Sequence, residues 1–180
     1  MDKRSARKWA KALAPASPEE SALVVNELRR WWAHEPATGV LVYLSMPGEL
    51  ALEALAETPP HTFFTTRTPP QGALTVHPFD APRERHRYGF EQPRGDAEEA
   101  DLEGIGIVLV PGLAFDGLGG RLGRGKGYYD RLLATLPGRS FVGVSLERFL
   151  LPEVPMEPHD LSMTHLATER GVRRVTPPPD

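Results

Sequence analysis

The run from Val110 to Asp130, VPGLAFDGLGGRLGRGKGYYD, constrains this chain more than any other stretch. It follows six apolar-rich residues, Ile105 to Val110, which read as a buried strand. It holds glycines at 112, 117, 119, 120, 123, 125 and 127, and it leads into a helix-compatible run from about Gly127 to Leu136, closed by Pro137-Gly138. Strand, glycine loop and helix in that order are the repeating unit of an α/β fold. Arg121, Arg124 and Lys126 alternate with the last glycines. Such a loop lets backbone approach a ligand closely, adds positive charge and aims a helix N-terminus, which together suit a phosphate. No Walker A pattern is present, so the plain alternative is an exposed loop with incidental cations. The position directly after a buried strand favours the phosphate reading.

The remaining apolar runs support the same fold class. Gly39 to Ser45 is a nearly continuous apolar run, as expected of a strand covered on both faces of a parallel sheet. His61 to Thr66 and Ser140 to Leu146 read as further strands, and Leu74 to Phe79 as a short or edge strand because Pro78 cannot donate to a ladder. Asp2 caps a basic helix through Trp9 and Leu13, and Ser17-Pro18-Glu19-Glu20 is a capping box opening a second helix through Leu23, Val24, Leu28 and Trp31. Trp31 and Trp32 read as packing residues. Glu49, after the Met46-Pro47-Gly48 turn, begins a helical stretch through Leu52 and Leu55. Residues 80–104 form a long polar surface loop, and the RERHR cluster in it reads as a solvated face. Thr164 to Thr168 is expected as a last edge strand. The expected architecture is α/β: a single-domain three-layer α/β/α sandwich with a mostly parallel sheet over residues 1–180, with 1–15 a basic helix and 170–180 a flexible tail.

Composition narrows the function classes. Lysine and arginine total 21 against 24 acidic residues, a net charge of −3, so nothing global points to a nucleic-acid partner. The absence of cysteine excludes thiolate metal sites, disulfides and a cysteine nucleophile. No apolar run reaches membrane-spanning length, and the N-terminus lacks the apolar core of a secretory signal. A soluble cytoplasmic protein, monomeric or weakly dimeric, is the expectation.

Candidate chemistry gathers around the loop. Asp130 either caps the following helix or holds Mg²⁺ beside phosphates, since Mg²⁺ typically takes one or two carboxylates. Asp160, in the Pro158-His159-Asp160 turn, is a candidate second carboxylate, whereas His159 reads as a surface residue. Glu49 follows a buried strand, where α/β folds place ligand-binding groups, although a carboxylate there also stabilises a helix N-terminus. Lys3, Arg7 and Lys11 share one helix face, which by itself reads as a solvated helix; the alternative is that Lys3 and Arg7 reach a polyanion together. No nucleophile elbow or histidine-pair zinc spacing occurs.

These residues resemble the 5-formyltetrahydrofolate cyclo-ligase family, also called methenyltetrahydrofolate synthetases. The signature is RLGRGKGYYDR at 121–131 after VPGLAFD at 110–116. KRSAR at 3–7, YLSMPGEL at 43–50, YGFEQP at 88–93 and LPEVPMEPHD at 151–160 resemble family segments in the same order. The resemblance implies ATP- and Mg²⁺-dependent conversion of 5-formyltetrahydrofolate to 5,10-methenyltetrahydrofolate with release of ADP and phosphate. It implies ATP contacts from Lys3, Arg4, Arg7, Arg121, Leu122, Gly123, Arg124, Gly125, Lys126, Gly127, Tyr128 and Tyr129. Arg124 and Lys126 would act at the transfer centre. Leu44, Glu49, Arg124, Gly125, Lys126, Gly127 and Tyr128 would contact the folate, and Asp130 and Asp160 would hold Mg²⁺. The alternative is a non-catalytic module of the same fold that binds nucleotide, folate or RNA.

Overall fold

Local capping starts both N-terminal helices in the computed structural model, which describes residues 1–175. Helix α1 (Lys3–Ala12) begins where the Asp2 carboxylate accepts the Ser5 N–H at 2.7 Å. Helix α2 (Pro18–Trp32) carries the full capping box: Ser17 Oγ accepts the Glu20 N–H, and Glu20 accepts the Ser17 N–H at 2.9 Å. Each bond satisfies an amide that has no partner inside its helix.

The strands follow as β1 (Gly39–Leu41), β2 (Thr62–Arg67), β3 (Thr75–Pro78), β4 (Arg83–Arg85), β5 (Glu91–Pro93), β6 (Ile105–Val110), β7 (Ala114–Phe115) and β8 (Arg121–Leu122). Helix α3 (Tyr128–Ala134) precedes β9 (Ser140–Val144), β10 (His165–Thr168) and β11 (Gly171–Arg174). The central sheet has seven strands in the order β11-β10-β9-β6-β1-β2-β3. Its inner pairs β2–β1, β1–β6, β6–β9 and β9–β10 are parallel, and only the outermost strands run antiparallel. β4–β5 and β7–β8 are separate antiparallel hairpins.

Side chains on successive sheet residues enter two different cores. Val40, Val42, Ile107, Leu109, Val142 and Val144 pack with Val24, Leu28 and Trp32 of α2. Leu41, Val108, Val110, Phe141 and Leu166 pack with Leu132 and Leu133 of α3 and with Leu136 just beyond it. That period of two, apolar at both phases, makes the three-layer sandwich, and each fully buried aliphatic side chain contributes roughly 1.5–3 kcal/mol of transfer free energy. A third cluster of Ala6, Ala114, Leu122 and Val154 seats α1 on the β7–β8 hairpin. Among the described residues, no helix is long and apolar enough to cross a membrane.

Several expectations need correcting. The regular part of the first strand ends at Leu41, although the chain stays buried through Leu44. No α-helix begins at Glu49. The chain turns there, and a 3-10 helix spans Glu53–Glu57. Ser45 accounts for the delay, since its N–H and Oγ donate to Glu53 at 2.9 and 2.8 Å and hold the intervening turn. The 80–104 segment is not structureless, because β4–β5 lies within it. Thr164 to Thr168 does not form the sheet edge: β10 lies between β9 and β11, so residues 171–174 are the outer strand and not a tail. Residues 176–180 of the expected tail lie outside the described residues.

The topology locates the site. After β1 the chain moves to β2 and β3 on one side, then returns to β6 on the other. This is a topological switch point, and ligands of open α/β sheets bind there, outside the carboxyl ends of the strands. Tyr43 and Leu44 follow β1, and Pro111 and Gly112 follow β6. All four line the main cleft.

Candidate active site

The cleft holds about 1410 Å³ and collects every site residue expected from the sequence. Lys3, Arg4 and Arg7 come from α1, Leu44 and Glu49 from the segment after β1, and 121–130 from β8, the glycine loop and α3. Asp160 arrives from the segment after Val154. The cleft exceeds the roughly 300–1,000 Å³ typical of a pocket for one small ligand.

The glycine loop lies between two walls. On one side Arg7 Nε donates to the Gly123 carbonyl at 3.0 Å. On the other, Lys126 Nζ stands 5.6 Å from the ring centre of Tyr88, on the β4–β5 hairpin. The loop's backbone path depends on glycine at Gly125, where φ is +101°, and at Gly127, where φ is +66°. Side chains with a Cβ rarely adopt that region. Gly127, and not Asp130, is the N-cap of α3. Asp130 sits inside the first turn, which corrects its reading as a helix cap.

Three ion pairs organise the cleft, each joining two of the expected site residues. Lys3 Nζ lies 2.6 Å from Asp160 Oδ2 and also contacts Glu157 at 2.7 Å. Arg121 donates to Asp130 Oδ1 at 2.8 Å, with side-chain exposures of 6% and 16%. Arg124 donates to Glu49 Oε1 at 2.6 Å, while Glu49 Oε2 accepts the Met46 N–H at 2.9 Å. Burial opposes the charges on Lys3 and Asp160. Their mutual hydrogen bond and the neighbouring Glu157 outweigh it, so Lys3 is held above the usual lysine range and Asp160 below the usual carboxylate range. Arg121 also reaches the Pro111 carbonyl at 3.3 Å, and its buried Nε has no hydrogen-bond partner among the described residues.

The floor of the cleft is phenolic. Burial first, and the nearby Glu49 charge second, push the Tyr43 hydroxyl well above its ordinary range. Burial likewise raises Tyr129. Both phenols therefore remain protonated hydrogen-bonding groups at neutral pH.

Metal fit can be judged from the donors. Among the described residues, the one grouping of three possible ligands is Glu157, His159 and Asp160, whose ligand atoms lie within 4.8 Å of one another. Asp130 is not in that grouping. Asp130 Oδ1 and Asp160 Oδ2 are occupied by these ion pairs and His159 Nε2 stands 3.6 Å from Asp160 Oδ1, whereas Asp130 Oδ2 is outside the pair with Arg121. An oxygen-rich set of this kind suits Mg²⁺, which takes few protein carboxylates and completes its shell with phosphate and water.

The sequence reading missed one wall. Arg85, His86, Arg87, Tyr88, Phe90 and Gln92 of the β4–β5 hairpin line the cleft, as do Thr66 and Arg67 at the end of β2. The RERHR cluster is therefore a cleft rim and not a face turned wholly to solvent. Arg67 donates to Glu84 Oε1 at 2.9 Å, Gln92 donates to the same oxygen at 3.1 Å, and the Thr68 N–H donates to Gln92. The bonds of Arg67 and Thr68 dock the hairpin on the end of β2, and that between Gln92 and Glu84 braces the hairpin itself. His86 stacks on Phe90 with ring centres 4.5 Å apart. Burial and the charges of Arg87 and Lys126 lower its pKa, so it is neutral at pH 7. The signals in the sequence are the family-like segment YGFEQP at 88–93 and, within it, the aromatic pair Tyr88 and Phe90 flanking Gly89.

Comparisons with known proteins find similar chains. A stretch of 88 residues is 47% identical to a 5-formyltetrahydrofolate cyclo-ligase of Mycolicibacterium smegmatis, covering 47% of this chain and 45% of that protein. The Escherichia coli 5-formyltetrahydrofolate cyclo-ligase is 28% identical over 189 residues, covering 92% of this chain and 97% of that one. For the first few curated relatives the match spans about half of their length or less. The solved structure of Aquifex aeolicus 5,10-methenyltetrahydrofolate synthetase superposes with a TM-score of 0.76 at 26% identity, covering 100% of this chain and 96% of that one. A Mycoplasma pneumoniae 5,10-methenyltetrahydrofolate synthetase shares the fold, with a TM-score of 0.74 at 17% identity, covering 94% and 99% of the two chains. The profile of the 5-formyltetrahydrofolate cyclo-ligase family matches residues 4–169, nearly the whole described chain and both walls of the cleft, and the chain belongs to that family.

Proposed function

We propose that the chain catalyses ATP-dependent conversion of 5-formyltetrahydrofolate to 5,10-methenyltetrahydrofolate, releasing ADP and phosphate. One observation carries the reading beyond family membership. Glu49, the expected folate anchor, meets Arg124 of the phosphate loop at 2.6 Å across 75 residues of sequence. A folate group at Glu49 and a phosphate at Arg124 would thus be neighbours, in a cleft with room for both.

The chemistry follows from the formamide. Its carbon is a poor electrophile and its oxygen a poor leaving group. The formyl oxygen attacks the γ-phosphorus, and the bond from that phosphorus to the ADP oxygen breaks. The resulting O-phosphorylated iminium carbon accepts the N10 lone pair and closes the ring. The C–O bond to phosphate then breaks, and the N10 proton is lost. Phosphoryl transfer of this kind depends mainly on alignment and charge neutralisation.

In this reading Lys3, Arg4 and Arg7 bind the outer phosphates of ATP, and residues 121–129 wrap the nucleotide. Arg124 and Lys126 neutralise charge on the transferring group. Glu49 accepts hydrogen bonds from the pterin ring, Leu44 packs against it, and residues 124–128 face the formyl group. Tyr88 covers the folate from the hairpin. Asp130 and Asp160 are the carboxylates that would hold Mg²⁺, which when bound neutralises phosphate charge. Lys3 and Arg121 position these two carboxylates.

The test mixes protein, Mg·ATP and 5-formyltetrahydrofolate and follows methenyltetrahydrofolate by its near-ultraviolet absorbance. ATP-dependent product is expected. Its absence, with nucleotide or folate still bound, would favour the non-catalytic module instead. Lys126→Ala is expected to slow turnover at least about tenfold, or roughly 1.4 kcal/mol of transition-state stabilisation. A near-normal rate would remove Lys126 from the transfer centre.

A further inference from the structure

Asp116 lies outside the cleft, yet its carboxylate is the junction of two segments that build the cleft's phosphate end. It is 2% exposed. Oδ1 accepts the Leu118 N–H at 2.9 Å and the Gly120 N–H at 2.7 Å, and Oδ2 accepts the Val154 N–H at 2.7 Å. All three donors are backbone amides, so a buried carboxylate that has no cationic partner among the described residues is satisfied by main chain.

The two segments it joins carry charged groups of the site. Gly120 directly precedes Arg121, whose side chain enters the cleft and pairs with Asp130. Val154 opens the segment that reaches Glu157 and Asp160, the partners of Lys3. The packing is tight: a Cβ on Gly120 would stand 2.3 Å from Asp116 Oδ2. The turn is fastened again where the Met163 N–H donates to the Gly119 carbonyl at 2.8 Å. Val154 and Leu122 flank this junction and pack directly under α1, against Ala6. Glu49 and the β4–β5 hairpin make no hydrogen bond to it among the described residues.

We infer that Asp116 is a positioning residue of the phosphate end: it sets the spacing of Arg121 and Asp160 and leaves the folate end untouched. This rests on the reading of the cleft as an ATP and folate site. Asp116→Asn is the informative substitution because it keeps the shape. If the Asn oxygen serves Leu118 and Gly120, the amide NH₂ faces the Val154 N–H, donor against donor. The tether to the Asp160 segment is then broken selectively.

The experiment measures KM for Mg·ATP and for 5-formyltetrahydrofolate separately in the parent protein and in Asp116→Asn. The KM for Mg·ATP is expected to rise at least about fivefold and the KM for folate to stay within about twofold, a split that loss of folded protein does not produce. Equal changes in both, or none in either, overturn the inference. Should the variant fail to fold, amide hydrogen exchange of the parent protein decides. The Gly120 and Val154 amides are expected to exchange more slowly when Mg·ATP is added and to be unaffected by folate alone; no response to Mg·ATP overturns the inference. A parent protein that forms no product removes the functional reading, and the same exchange measurement with Mg·ATP still tests the tether.

Discussion

The two walls of the cleft are built differently. The α1 wall is fixed charge. Lys3 is bound to Asp160 across 157 residues, Arg121 is nearly buried against Asp130, and Arg7 holds the loop carbonyl of Gly123. The hairpin wall is aromatic and more open. Tyr88 is 52% exposed, and Lys126 meets it only through the face of its ring. Part of the hairpin's support is local: Arg83 reaches Glu91 at 3.4 Å across eight residues. The ion pairs of the first wall are largely buried, with side-chain exposures of 6% and 16% for Arg121 and Asp130 against 28% and 66% for Arg83 and Glu91, and they hold a rigid arrangement of charge, whereas a two-stranded hairpin has little stability of its own. In the proposed reading the first wall aligns phosphates and the hairpin wall adapts to a larger, partly apolar substrate.

The largest expected effect comes from breaking the rigid wall. Arg121→Met removes the partner of Asp130 in a buried setting, and urea unfolding is expected to report a loss of about 3 kcal/mol. A loss below about 1 kcal/mol would place Arg121 among solvent-screened pairs and erase the contrast between the walls. Glu49→Ala is next. Isothermal titration is expected to find folate binding at least about tenfold weaker, near 1.4 kcal/mol, with Mg·ATP binding intact. The reverse pattern would reassign Glu49 to the nucleotide.

The smallest effect lies away from both walls and serves as a reference. Glu20 pairs with Arg148, which also donates to the Ala14 and Pro15 carbonyls and so ties the α1–α2 linker to the short 3-10 helix Glu147–Phe149 after β9. Hydrogen bonds from Arg148 and from the Ser17 backbone lower the Glu20 pKa from 4.5 to about 2. A carboxylate lowered on folding stabilises the protein above its unfolded pKa and loses that contribution as pH falls through the folded value. Glu20→Gln keeps the capping box and removes the charge, so it is expected to cost about 0.5–1 kcal/mol at pH 7, where both groups are partly exposed to solvent. The difference in thermal midpoint should shrink below pH 4.5 and vanish near pH 2. A difference that persists at pH 2 would mean that packing, not charge, is responsible.

Much of this architecture was legible along the chain, because it rests on contacts a few residues long. The Asp2 and Ser17 caps are hydrogen bonds spanning three residues. The apolar runs at 39–45, 105–110 and 140–146 announce strands covered on both faces, and Pro78 marks an edge. The glycine and cation alternation at 121–127 marks a loop made for close approach. Periodicity implies a helix from Glu49, but the Ser45 N–H and Oγ bond to Glu53, a local competition that periodicity does not register. The outer strand 171–174 resembles a tail in sequence because Arg173 and Arg174 are polar and exposed at the edge.

What the sequence determined by itself, then, is the layering of the fold and the chemical character of the loop, since hydrophobic period and backbone permissiveness are local properties. Only the tertiary structure decided the partners. That Asp130 faces Arg121, that Asp160 faces Lys3 and that Glu49 faces Arg124 are pairings across distances for which no spacing rule exists. The position of the RERHR hairpin over the loop, and of Asp116 beneath it, were decided in the same way. Charges find partners according to where the packed sheet and helices carry them, and that geometry exists only once the chain has folded.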